Sequence, residues 1–232
     1  MTSRRQLAPF AALSASYFAH IGFFNPYLPL WLQELGLSIL AISVLVSVQA
    51  ATRLFAPYGW GWLSDRTGER IQLMRYSACA ALLASTGLWW DGGVNWLFGV
   101  LLFMFIHTSA MMPMSEAAMA HLVTQDSVFN ARRYGRIRLW GSVGFLVTVI
   151  VAGIFFERAG MHHFPAWTVA TMLAVTLSVF CLPDLKEAIP AHALRVNVMP
   201  VLRQRAVQWF FASVFLHVLS HIGIYVFFSL YL

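Results

Sequence analysis

The chain has few charged residues for its length of 232. Asp, Glu, Lys and Arg make up 10% of the sequence, against about 25% in soluble domains, whereas hydrophobic residues make up 59%. A soluble domain of this size could not bury so large an apolar share. The composition therefore argues against a soluble globular protein and predicts a membrane protein.

Sequence motifs of enzymes and of ATP-driven pumps do not occur in the chain. There is no Gly-x-x-x-x-Gly-Lys-Ser/Thr, no Gly-x-Ser-x-Gly and no His-Glu-x-x-His. Cys79 and Cys181 lie in predicted helices and are expected to pack as small apolar side chains. His217 and His221 have a metal-binding spacing, but no acidic third ligand is near them. We expect no enzymatic activity, no cofactor and no metal site.

Seven runs are long and apolar enough to cross a bilayer, which takes about 20 helical residues. Five contain no Asp, Glu, Lys or Arg, and two contain a single arginine each, Arg53 and Arg75. The predicted spans are residues 7–32, 37–58, 71–90, 92–115, 139–156, 161–183 and 206–232.

Basic residues are concentrated in alternate connections, and short loops rich in Arg and Lys remain in the cytoplasm. The loops on the opposite side contain a single basic residue, Arg158. The pattern predicts an inner-membrane protein with a cytoplasmic N-terminus, and it explains the net charge of +6 without nucleic-acid binding. The basic residues on the predicted cytoplasmic side are Arg4, Arg5, Arg66, Arg70, Arg132, Arg133, Arg136, Lys186, Arg195, Arg203 and Arg205.

A compact charged segment separates the second and third predicted spans. Its pattern is Gly-x-Leu-x-Asp-Arg-x-Gly-x-Arg, formed by Gly61, Asp65, Arg66, Gly68 and Arg70. The two glycines are expected to allow tight turns, and Asp65 to lie over a helix N-terminus, where the dipole favours an anion. An ordinary solvated loop is the alternative.

This segment resembles the loop between the second and third helices of the major facilitator superfamily, where it acts as a conformational latch. The resemblance implies an all-α membrane protein with a six-helix N-terminal bundle over residues 1–183, made of two inverted three-helix repeats. A cytoplasmic loop would follow over residues 184–205. A seventh helix over residues 206–232 would begin a C-terminal bundle that the chain does not complete.

Glu116 and Arg138 are predicted to pair inside the membrane. Each lies 11 positions from Ser127, near which the fourth and fifth spans turn, so the two have similar depth if the fifth helix begins near Arg132 or Tyr134. A carboxylate there costs several kcal/mol unless it is paired or protonated, so a pair could take up and release a proton. The alternative is that both residues merely lie near the cytoplasmic end of their helices.

Residues 25–32 and 134–145 resemble the lactose-permease-like and phenylpropionate-permease-like branches of that superfamily. Residues 112–117 resemble the phenylpropionate type, which has an aspartate in place of Glu116. The resemblance implies that Arg138 and an acid on the fourth helix, here Glu116, belong to the substrate and proton machinery. Where lactose-type members stack sugar on a tryptophan, this chain has Phe145, which disfavours a sugar.

Other polar groups in the spans have more than one interpretation. Arg53 either lines a cavity that attracts an anion, pairs with Glu116 in place of Arg138, or extends to the cytoplasmic surface. His20 and His107 either join a proton relay or are hydrogen-bonded packing residues. Pro113 is expected to kink the fourth span just before Glu116.

Together these patterns predict proton-coupled uptake of a small organic solute, an aromatic or other organic acid first and a sugar or nucleoside second. The expected partners are that solute, protons and the lipid bilayer. The alternative is a truncated membrane protein that does not transport, or a half-unit that needs a second copy or a chain supplying the missing C-terminal half.

Overall fold

The computed structural model describes residues 4–90, 92–125, 128–184 and 199–231. Almost all of them are helical, which confirms the all-α prediction, and one two-residue antiparallel ladder joins β1 (Thr124–Gln125) to β2 (Val128–Phe129). The helices are α1 (Arg4–Glu34), α2 (Ile39–Thr67), α3 (Arg70–Thr86), α4 (Gly93–Thr108), α5 (Met111–Val123), α6 (Ala131–Ala159), α7 (Phe164–Phe180), α8 (Met199–Leu202) and α9 (Arg205–Tyr231).

Five helical segments of the described residues are long and apolar enough to cross a membrane. They correspond to α1, α2, α4 together with α5, α6, and α7 with the 3-10 turn before it. The third predicted span is α3, which has 17 residues and continues into a 3-10 turn at Gly87–Trp89. The seventh is α9, which packs on α1.

Helix contacts follow the symmetry of an inverted repeat. Here α4 and α5 together count as the fourth span, α6 as the fifth and α7 as the sixth. The contact between the first and fifth spans corresponds to that between the fourth and second. The contact between the first and sixth spans corresponds to that between the fourth and third. Shifting each partner by three spans converts one contact into the other. The third and sixth spans, α3 and α7, contact each other and map onto themselves. This pattern is the one expected for two three-helix repeats.

The kink expected at Pro113 occurs as a break in the fourth span about one turn before the proline. The fourth span is interrupted at Ser109 and Ala110, and Pro113 lies in the first turn of α5. A proline ring clashes with the carbonyl group four residues earlier, which here belongs to Ser109. The break therefore falls where the lost hydrogen bond would have been. In contrast, α1 continues through both Pro26 and Pro29 to Glu34.

The charged segment between the second and third spans is mostly helix. Helix α2 continues to Thr67, so Gly61 makes no turn, contrary to the prediction. Gly68 does make one, because its φ is 65° and its N–H donates to the Ser64 carbonyl group. This left-handed ending is the common way in which a glycine terminates a helix. Helix α3 begins two residues later at Arg70.

Glycines bring α1 and α6 into backbone contact. A Cβ atom on Gly144 would lie 2.2 Å from the Ala15 carbonyl oxygen, and one on Gly22 would lie 2.9 Å from the Phe145 carbonyl oxygen. Small residues allow membrane helices to approach this closely, and dispersion contacts then hold them together. We call this contact the glycine seam. It fixes the height of α6 against α1.

Candidate functional site

The Glu116 and Arg138 side chains form an ion pair between α5 and α6. The Arg138 Nη1 atom lies 3.1 Å from the Glu116 Oε1 atom. Helix α6 begins at Ala131, seven residues before Arg138, and Asn130 caps it by accepting from the Arg133 N–H. The hairpin tip at residues 126–127 lies outside the described residues. The contact agrees with the equal distances of the two residues from the predicted turn.

Both side chains of the ion pair are partly exposed, although the Arg138 Nη1 atom that faces Glu116 is itself buried. The side chains of Arg138 and Glu116 retain 38% and 36% of their exposure. On its other side, the Arg138 guanidinium lies 4.4 Å from the centre of the Phe18 ring, within cation–π range. The guanidinium thus has a carboxylate and an aromatic face as neighbours.

A groove of about 320 Å³ opens beside this pair, between α1 and α6. It is lined by Phe18, Ile21, Arg138, Ser142 and Phe145. The groove therefore combines one guanidinium, one hydroxyl group and two phenyl rings. Such a lining suits a small solute that carries an anionic group next to an apolar or aromatic part. Phe145, which the sequence analysis named, lines the groove. Phe18 also lines it but was not predicted from the sequence.

The break in the fourth span is stabilised by side chains from two other helices. The Tyr17 hydroxyl donates to the Thr108 carbonyl group at 3.3 Å, and the Trp60 indole N–H donates to the Ile106 carbonyl group at 2.9 Å. These carbonyl groups have lost their usual helical partners, and such groups need replacement donors inside a membrane. The break therefore places a fixed bend between α4 and the helix that carries Glu116.

Tyr17 is a second residue that sequence reasoning missed. Its hydroxyl group lies within electrostatic range of Arg53, Glu116 and Arg138. Tyr17 therefore marks a region that these three charged groups share. The only local signal was a polar aromatic residue in the middle of an apolar span, which does not indicate partners on other helices.

Arg53 is exposed on α2, and within the described residues it forms no ion pair. The Glu116 carboxylate pairs with the Arg138 guanidinium in the structure, so the alternative pairing of Arg53 with Glu116 is not the one observed. Arg53 nonetheless adds positive potential near Tyr17.

The two histidines contact residues of other helix interfaces. His20 is buried between α1 and α7, where its Nδ1 atom is 2.9 Å from the Thr171 hydroxyl group. His107 is also buried, and its Nδ1 atom is 2.7 Å from the Phe103 carbonyl oxygen. Its ring lies 5.5 Å from the ring of Trp60 on α2. Both sets of contacts fit the packing interpretation.

The charged segment at the end of α2 forms its own small network with the start of α3. The Arg70 Nη2 atom lies 3.3 Å from the Asp65 Oδ1 atom, and the Arg70 Nε–H donates to the Ser64 hydroxyl group at 3.0 Å. The Arg66 guanidinium lies 4.1 Å from the Trp62 ring centre. Arg70 is the first residue of α3, so the pair with Asp65 joins the end of α2 to the start of α3.

No cluster of three His, Cys, Asp or Glu side chains that could bind a metal occurs among the described residues. The fold and the site together define a multi-span helical membrane protein with a charged groove between α1 and α6.

Comparison with known proteins identifies the family. The model of the MFS_1 like family, part of the major facilitator superfamily, matches residues 12–232, and the chain belongs to this family. It is 29% identical to the "Probable 3-phenylpropionic acid transporter" of Escherichia coli (strain K12) over 143 residues, covering 60% of this chain and 35% of that protein. It is 28% identical to the "Maltose permease" of Geobacillus stearothermophilus over 204 residues, covering 86% of this chain and 50% of that protein.

The family and both relatives are transporters, which points away from an enzyme. The chain spans between about a third and a half of the length of these curated relatives.

Proposed function

We propose that this chain is a proton-coupled carrier that takes up a small organic acid, with an aromatic acid as the first candidate. The observation that carries the proposal is the partly exposed Glu116–Arg138 ion pair beside a groove lined by Phe18 and Phe145. Residues 1–183 would form the bundle, residues 184–205 the linking loop, and residues 206–232 the first helix of the second bundle.

The chemistry follows from competition for one guanidinium. When Glu116 is ionised, its carboxylate occupies Arg138. Protonation removes the negative charge and releases the guanidinium, which then binds the carboxylate of the substrate. Proton and anion enter together, so the site remains close to neutral in a medium where net charge is costly. Arg53 adds attraction for the anion, and the phenyl rings contact its apolar part.

The relatives support this proposal at the level of substrate class. The phenylpropionic acid transporter is named for an aromatic acid, the type of molecule that the groove chemistry suits. The maltose permease is named for a sugar, and its match covers 86% of this chain. We therefore keep a sugar, or the chemically related nucleoside, as the second candidate. Phe145 favours the acid, because lactose-type members have a sugar-stacking tryptophan at this place.

The charged network of Asp65, Arg66 and Arg70 would act as the conformational latch. Asp65 and Arg70 join the ends of two helices, so their ion pair responds to a change in the angle between α2 and α3. His20 and His107 stay candidates for a proton relay, with packing as the alternative that their hydrogen bonds favour.

Proteoliposomes containing the 232-residue chain test the coupling. We expect 3-phenylpropionate to drive proton entry, and Glu116→Gln to abolish proton-driven accumulation while it keeps substrate exchange within a few-fold of the original. Glutamine imitates the protonated carboxyl group and so leaves Arg138 free to bind. Glu157→Gln, near the other end of α6, is the matched control. Proton-driven accumulation that persists in Glu116→Gln would contradict the proposal.

A half-unit is the alternative function, because the chain spans at most half of the relatives' length. A half-unit would bind the acid but transport it only with a second copy or a chain supplying the other half. Equilibrium binding of labelled 3-phenylpropionate separates the two cases. Binding that disappears in Arg138→Gln, without uptake, would identify the half-unit.

A further inference from the structure

A second groove lies between α1 and α6, at the end of the bundle where α6 begins. Its volume is about 370 Å³, and it is lined by Leu7, Ala8, Ala11, Arg133, Arg136, Ile137 and Trp140. Two of these seven side chains are guanidinium groups and none is a carboxylate. The lining therefore contributes two basic groups, next to an apolar floor formed by α1.

The two grooves lie on different faces of α6. Successive residues of a helix are turned by about 100°. Arg136 and Trp140 therefore project roughly opposite to Arg138, Ser142 and Phe145, and the glycine seam lies between the two faces. The second groove thus opens away from the candidate transport site, and its lining shares only α1 and α6 with that site.

The second groove has the layout of a membrane boundary. Arg133 and Arg136 are in the first two turns of α6, and Trp140, 55% exposed, is one turn deeper. Arginines near the end of a span lie at headgroup level, and tryptophan prefers the interface between headgroups and acyl chains. The small side chains of Ala8 and Ala11 leave an apolar depression on α1, beside the two arginines and Trp140.

We propose that this groove binds an anionic phospholipid of the leaflet in which α1 begins. Arg133 and Arg136 bind the phosphate, and the first part of an acyl chain lies along Ala8, Ala11 and Trp140. Basic pockets between membrane helices recognise acidic headgroups in this way. Charge complementarity selects the occupant, because a protein helix would bring carboxylates only by chance, whereas every anionic phospholipid brings a phosphate attached to apolar chains.

Native mass spectrometry of the detergent-purified chain tests the proposal. The probes are phosphatidylglycerol, phosphatidylcholine with the same acyl chains, and soluble glycerol phosphate. We expect phosphatidylglycerol to bind more tightly than the other two. Arg133→Gln combined with Arg136→Gln should weaken its binding roughly 25-fold, since each arginine near a charged headgroup contributes about fivefold.

Arg132→Gln is the matched control, because Arg132 is exposed on the same turn and does not line the groove. It should reduce phosphatidylglycerol binding by less than twofold. Thermal unfolding of each variant shows whether it is folded. An equal loss in the control, equal binding of phosphatidylcholine, or unchanged binding in the double variant would each overturn the proposal. Binding of glycerol phosphate as tightly as the lipid would do so as well, since it would show a site for free phosphate.

The test does not depend on the proposed transport function. Its readout is lipid retention, and Glu116→Gln should leave that retention unchanged.

Discussion

Helix α1 approaches the backbone of α6 around Gly144, whereas it packs against α7 through aromatic rings. Against α6, Gly22 and Gly144 remove side chains from the contact. Against α7 and the turn before it, the Phe164 ring lies 5.1 Å from the ring of Phe23 and 4.9 Å from that of Trp31. The first contact fixes distance and height through the backbone, and the second fills volume with side chains. The candidate site is at the first contact.

The difference has a functional reason. The backbone of α6 cannot move towards α1, so Arg138 and Phe145 are held at a defined height beside Phe18. Ring packing tolerates small rearrangements better, because side chains can change rotamer at modest cost. We therefore expect the glycine seam to be the less tolerant of the two contacts, and the following changes rank that expectation.

The largest effect is expected from Gly144→Leu. The new side chain would begin 2.2 Å from the Ala15 carbonyl oxygen, so α1 and α6 must separate. Ordinary overpacking costs about 1–3 kcal/mol, and a clash with the backbone should exceed that range. Thermal unfolding in detergent should show a large loss of stability or no folded protein. Gly135→Leu, on the same helix with no heavy atom within 4 Å of its Cβ position, is the control and should be tolerated. Similar results for both variants would show that the seam is not rigid.

A smaller effect is expected from Phe164→Ala, which removes a fully buried ring from the contact with α7. The lost contacts and the cavity should cost roughly 3 kcal/mol in the free energy of unfolding, and Phe164→Leu should recover about half. Phe98→Ala, which changes an exposed ring on α4, serves as the comparison. If Phe164→Leu were as damaging as Gly144→Leu, the ranking of the two contacts would be wrong.

The smallest effect is expected from Thr171→Val. The Thr171 hydroxyl group donates to the Trp167 carbonyl group at 2.8 Å, so it accepts the hydrogen bond from His20. Valine leaves the buried imidazole without this partner, which should cost about 1 kcal/mol in thermal unfolding. Thr86→Val, at an exposed threonine, should have no measurable effect. A change in the pH dependence of transport, beyond the loss of stability, would favour the relay interpretation of His20.

Local sequence patterns were sufficient for much of the architecture. The apolar runs predicted the helices, and Gly68 predicted the turn after α2, because a left-handed backbone there needs no Cβ atom. The depths of Glu116 and Arg138 followed from counting residues along a hairpin, since the helical rise per residue is constant. The same counting did not predict Phe18 or Tyr17, which reach the site from a distant part of the chain.

Proline shows where local reasoning ends. Pro113 determines which carbonyl group loses its helical partner, but not whether the helix bends or breaks. The fourth span breaks where Tyr17 and Trp60 supply donors to nearby carbonyl groups, whereas α1 passes through Pro26 and Pro29 as one helix. That outcome depends on donors from other helices, which only the packed bundle brings close.

The sequence by itself determined that this chain is a multi-span helical membrane protein in which an acidic residue, Glu116, and a basic residue, Arg138, have similar depth. Those properties follow from hydropathy, helix geometry and the constant length of a bilayer span. The tertiary structure decided that Arg138 lies between Glu116 and Phe18, that two grooves flank α6, and that glycines hold α6 against α1. These features depend on which faces of distant helices meet, and that choice is made by the packing of the whole bundle.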